Sequence, residues 1–225
     1  MTAKIPGGEG RKMNRLFNLD SPIMVFLGKV GDLIWLNVLT MICCIPIVTV
    51  GASITALHYV SIKMVRNEEG YLTKNFFKSF RQNFFQATVL WVLMLFILAV
   101  AGADFYFLSM MEGTVVEVVK IGLYAVFLFF LCSSIYWFPL LSKFENSLRN
   151  IVKNSLLLSI MHFPKTIGIL LIHGVFIALY YFFTFRIMPV ILLMGISLPA
   201  YAASYLFSGI FKKLEPEEEE ISQSV

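Results

Sequence analysis

The chain has 225 residues, of which 58% are hydrophobic and 14% charged, with 22 Phe, a mean hydropathy of +0.79 and a net charge of +4. No ordinary water-soluble domain buries so large an apolar share, so the composition points to lipid as the solvent. In a soluble protein the positive sum would raise nucleic acid as a partner; here it falls in blocks beside apolar runs and speaks of topology, and no nucleic-acid partner is expected.

Residues 1–30 carry basic groups but no short apolar core ending in a small-residue cleavage site, so they read as a retained cytoplasmic segment rather than a signal peptide. Leu33 to Ile62 follows as about 30 apolar residues, which as one helix would measure about 45 Å against a hydrocarbon core of ~30 Å. Pro46, Gly51 and Ser53 in "CCIPIVTVGAS" mark the break, and a helical hairpin over 33–62 is predicted. Its arms of ~15 residues, about 22 Å each, either cross or re-enter. Gly70 is placed to end the return arm. Ala52, Ser53 and Ala56 form a small-residue face that would admit another helix closely.

An amphipathic helix is predicted over 73–86, with Phe76, Phe77, Phe80 and Phe84 on one stripe and Lys74, Lys78 and Arg81 on another. At an interface the rings sink toward acyl chains while the basic stems reach headgroups. A membrane bundle over 86–211 then contains four spans, Gln86 to Ala103, Ile121 to Ser142, Thr166 to Phe185 and Ile187 to Phe211, close to the ~20 residues a crossing needs. Between the second and third lies another interfacial helix, 144–160, in which Asn146, Arg149 and Asn154 repeat the spacing of Asn75, Lys78 and Asn83. Arg186 to Pro189 supplies the outward reversal between the last two spans. The tail 212–225 contains "EPEEEE" and reads as solvated, acidic and disordered.

Lys and Arg set the orientation. They cluster before the hairpin, between Lys63 and Arg81, between Lys143 and Lys165, and at Lys212 and Lys213, while the other gaps hold only Lys120 and Arg186. The rich blocks are expected in the cytoplasm, with both termini.

Ionisable and polar groups at membrane depth are costly and therefore candidates for function. Asn37 enters the first arm, Asp104 ends the Gln86 run, and His173 lies about two turns into the Thr166 run. His58 and His162 lie nearer the boundary. Asp32 can pair with Lys29, and Glu145 with Arg149, across a helical turn. Lys74, Lys78, Arg81, Arg149 and Lys153 are the candidates for contact with headgroups or a partner. Cys43, Cys44 and Cys132 lie in apolar runs without CxxC spacing, as packing thiols do, so neither a disulfide framework nor a metal site is expected. With no Ser/His/Asp set, phosphate loop or HExxH, the chain reads as noncatalytic and without cofactor.

The stretches "FNLDSPIMVFLGKVGDLIWLNVLTMICCIPIVTVGASITALHYV", "RNEEGYLTKNFFKSFRQNFFQAT" and "YWFPLLSKFENSLRNIVKNSLLLSIMHFPKT" resemble the YesL family of bacterial membrane proteins, a domain of unknown function numbered 624. The resemblance rests on Pro46 through Ser53, Glu69 to Tyr71, and Pro139 with Phe144 and Glu145. It carries no catalytic residues. It implies a Gram-positive setting beside carbohydrate ABC importers and sugar-responsive regulators. The expected protein is therefore an all-α polytopic bundle in the plasma membrane, acting as an accessory or assembly partner of ABC importer permease subunits. A small-solute transporter or channel is the alternative, suggested by the repeat and the broken helix.

Overall fold

A computed structural model describes residues 22–68 and 70–223, and the described chain is helical throughout its regular elements. The first 21 residues of the expected N-terminal segment, and Glu69, lie outside it. Helix α1 (Pro22–Cys44) opens on a proline, whose missing N–H is no loss at a first helical position. It stops just before Ile45, since the residue preceding Pro46 is driven out of helical conformation. A 3-10 turn (Ile47–Thr49) then leads into α2 (Val50–Val65). The Thr49 hydroxyl closes the turn by donating to the carbonyls of Cys43 and Pro46, at 2.5 and 2.7 Å.

The predicted hairpin thus exists, but its bounds need correction. The first arm has 23 residues rather than ~15 and starts eleven positions before Leu33, because the apolar run Ile23 to Leu27 carries the helix through Lys29 and Asp32. At about 34 Å it is long enough to cross hydrocarbon. Gly51 is also not in the turn but inside α2. The return arm ends not at Gly70 but at Asn67, which takes a left-handed φ of 52°. There Glu68 N–H bonds Lys63 C=O and Asn67 N–H bonds Met64 C=O, the paired bonds of a Schellman cap.

The predicted interfacial helix over 73–86 is not a separate element. It forms the first third of α3 (Leu72–Ser109), 38 residues and about 57 Å long, since nothing between Gln82 and Ala87 breaks a helix. Gly113, at φ +134°, turns the chain into α4 (Thr114–Lys143). Phe105 stacks on Tyr124 at 4.9 Å, so α3 and α4 run as an antiparallel pair beyond the core. Helix α5 (Leu148–Met161) starts on Ser147, whose hydroxyl accepts from Asn150 N–H. Glu145 consequently precedes the helix, and the expected helical pairing with Arg149 has no frame to form in.

Helices α6 (Phe163–Met194) and α7 (Ser197–Gln223) make the last hairpin. Gly168 approaches Leu206, and Tyr180 donates to the Gly195 carbonyl at 2.6 Å, so the helical segments on either side of the predicted reversal at Arg186 to Pro189 run antiparallel. The backbone leaves helical geometry slightly earlier, at Phe183 (φ −117°, ψ 17°). A second break at Gly195 and Ile196 bends Met188–Met194 by 50° from Ser197–Glu215. Helical backbone continues to Gln223, so the tail expected to be disordered extends α7. Among the described residues five helices are long and apolar enough to cross a membrane, and the bent pair makes a sixth as a broken span. This is a multi-pass membrane protein.

Helix α2 is the hub. It packs on α3, α7, α4 and α1, and 61% of its apolar window is buried, against 17% in α3 and none in α4. Gly51 allows the closest approach: a Cβ there would run into the Ala87 carbonyl and lie 2.8 Å from Trp91 Cβ. Ala52 and Ala56 are fully buried on the same helix, as the predicted small-residue face requires. The Phe stripe of α3 is split: Phe76 is wholly buried beside Val60 and Met64, while Phe77 and Phe84 stay exposed, because the stripe meets α2 before it meets lipid.

Candidate functional site

Three polar arrangements stand out against this apolar frame. The largest is a cleft of about 620 Å³ between the first third of α3 and the Phe144 to Ser147 loop. Lys78, Gln82 and Gln86 line it because residues four apart share a helical face. Lys143, Glu145, Asn146 and Ser147 line it from the loop side, together with Tyr59 of α2. Gln86 donates to the Asn146 carbonyl at 3.3 Å, which ties the loop to α3. Of the five basic candidates read from the sequence, Lys78 alone lines the cleft; Lys74 and Arg81 are exposed elsewhere on α3, and Arg149 and Lys153 are exposed on α5.

The second arrangement was not foreseen. Glu215, near the end of the apolar part of α7, accepts from Arg66 at 2.6 Å and from Lys143 at 2.8 Å. Arg66 also donates through Nε to the Ser208 hydroxyl at 3.1 Å. Ends of α2, α4 and α7 are thereby joined through one carboxylate. The available signal was that Glu215 is the first acid after a long acid-free run, while Arg66 and Lys143 each close an apolar helix; counting Glu215 with the tail hid it.

The third is a latch at membrane depth. Asn37 is fully buried, and its carboxamide spans the break between α6 and α7. Its Nδ2 donates to the Leu192 carbonyl at 2.8 Å, and its Oδ1 accepts from the N–H groups of Ile196 and Ser197 at 2.8 and 3.0 Å. A helix end inside hydrocarbon leaves such groups without water, and one side chain serves both ends.

The remaining candidates do not converge. Asp104 is exposed and borders a small apolar groove between α3 and α4. His173 Nδ1 lies 2.9 Å from the Ile169 carbonyl, which makes that nitrogen the N–H donor and ties the ring to its own helix. His58 is buried edge-on against Phe207, at 5.7 Å between ring centroids. Pro46 shapes the exposed turn, and Ser53 is buried with its hydroxyl on the Thr49 carbonyl. At the α5–α6 junction, burial holds the His162 imidazole below its usual range, aided by Lys165 and Lys213. The three cysteines are free, and among the described residues no cluster of three metal-ligating side chains occurs.

Residues 33–105 match the family model described as protein of unknown function, DUF624, in agreement with the resemblance read from the sequence. The matched stretch takes in the second half of α1, all of α2 and most of α3, which is the hub and the Lys78 wall of the cleft. No curated protein and no solved structure matches the chain.

Proposed function

We propose that this DUF624 chain is a noncatalytic component of the bacterial plasma membrane that assembles with another membrane protein, the permease of a carbohydrate ABC importer. The observation that carries the assembly reading is the α3–α4 pair, whose apolar surface has little to pack against within the chain. Phe96, Phe107, Tyr124 and Phe129 all stand exposed there. Lipid covers such a surface adequately, but aromatic rings on a two-helix projection also offer the large, rigid contacts that helix–helix recognition uses. The permease as partner follows from the setting that the family resemblance implies. Both termini and the Lys78 cleft are then cytoplasmic, on the side where ABC importers bind nucleotide.

Co-purification tests this. Full-length protein, solubilised in a mild detergent with permeases encoded beside it, is expected to elute with them, and replacing Phe96 and Phe129 by Ala is expected to weaken the association. An importer that stays intact and elutes without this chain overturns the reading.

The transporter reading draws on the broken span, where other folds use free helix ends to hold solute. Here the carboxamide of Asn37 already occupies those ends. Uptake of a sugar by proteoliposomes containing the purified chain alone would establish it instead.

A further inference from the structure

We propose that the cleft between α3 and the Phe144 to Ser147 loop binds the phosphate of a phospholipid headgroup, with Lys78 as its principal ligand. The proposal rests on what lines the cleft and on what lies beside it, and is independent of the importer reading.

The lining supplies hydrogen-bond donors in excess of local demand. Lys78 forms no ion pair among the described residues, unlike Lys143, whose ammonium is held by Glu215. Gln82 projects into the same space from the next turn, and Asn146 and Ser147 face it from the loop. An ammonium flanked by amide and hydroxyl donors suits a phosphate, which accepts several charge-assisted hydrogen bonds at once. Glu145 is the one carboxylate in the lining, and it is exposed. It repels an anion, so the phosphate belongs on the Lys78 side of the cleft.

The neighbourhood decides the source. Phe84 and Phe85 follow directly on α3 and are exposed, and Val89, Val92 and Phe96 continue the apolar surface along the same helix. A soluble phosphate has no use for that surface. A diacyl lipid does: its chains run along α3 while its headgroup sits in the cleft at the boundary, where basic residues favour phosphate. The volume of about 620 Å³ accommodates a glycerophosphate group with water to spare.

Native mass spectrometry of the full-length protein in detergent, titrated with phosphatidylglycerol or with diacylglycerol of the same chains, tests the assignment. Wild type is expected to retain phosphatidylglycerol and not diacylglycerol. Lys78→Ala should weaken retention about fivefold, Lys78→Arg should restore it, and Lys212→Ala, exposed on α7 and outside the cleft, should leave it unchanged. Since Lys78 is exposed, its replacement leaves the core untouched. Equal retention of diacylglycerol, equal retention by Lys78→Ala, or an equal loss in Lys212→Ala overturns the proposal. A parallel titration with inorganic phosphate, read by thermal unfolding, separates the sources. Stabilisation of wild type matching that given by phosphatidylglycerol, and lost in Lys78→Ala, overturns the lipid assignment in favour of a soluble phosphate.

Discussion

At the scale of single residues, Asn37 and Gly51 do the least replaceable work. Replacing Asn37 by Leu keeps the volume but strands two backbone N–H groups and a carbonyl in an apolar interior. The expected loss is about 3 kcal/mol or more, since each of the three abandoned buried groups typically costs 1–3 kcal/mol. Thermal unfolding in detergent would show it, and an unchanged midpoint would mean that other groups can serve the helix break. Gly51→Ala acts oppositely, by adding an atom where α2 touches α3. Backbone is what the new Cβ meets, so relief requires the helices to part, at about 1–3 kcal/mol. Both changes should therefore lower the midpoint, whereas Gly122→Ala, with open space around it, should not. His162 gives a pH signature. Its folded pKa lies below the ordinary 6.5, so the unfolded chain takes up the proton first as pH falls. Its contribution is fully present above that value and fades as pH drops below it. His162→Gln should flatten the stability profile of wild type below about pH 6.5.

At the scale of elements, the Glu215 bridge predicts that helix ends are coupled. Glu215→Gln keeps the shape but loses two charge-assisted bonds, for an expected cost of about 2 kcal/mol at this half-exposed site. Added salt should reduce the difference between the two proteins, and a difference insensitive to salt would show that packing of α7 is what the substitution disturbs. Elements were also where the sequence was most and least readable. Apolar runs revealed nearly every span, and Pro46 the first reversal, because both signals are local. Lys29 and Asp32 disguised the start of α1, since a helix carries a few charges that composition treats as a boundary. The stripe of Phe76, Phe77 and Phe80 was visible, but not that α2 would cover Phe76, since periodicity says which residues share a face and nothing of what that face meets. Asn37 could be singled out as polar at depth; its partners lie more than 150 positions away in the chain and no spacing rule reaches them.

For the whole molecule, the prediction concerns sidedness. The turn at Met110 to Gly113 and the Glu215 bridge lie toward opposite ends of the α3–α4 assembly, and the excess of Lys and Arg is at the bridge end. In intact cells a membrane-impermeant maleimide is expected to label Glu112→Cys directly, and Lys153→Cys only after permeabilisation, both in a background lacking Cys43, Cys44 and Cys132. The reverse pattern would invert the topology while leaving the fold intact. The uninterrupted length of α3 ties these ends together. At about 57 Å the helix exceeds the ~30 Å hydrocarbon core, so one rigid rod carries both the exposed arm and the Lys78 wall of the cleft. Any body that leans on the arm therefore works a lever: a tilt of only about 10° over that length displaces one end by about 10 Å relative to the other.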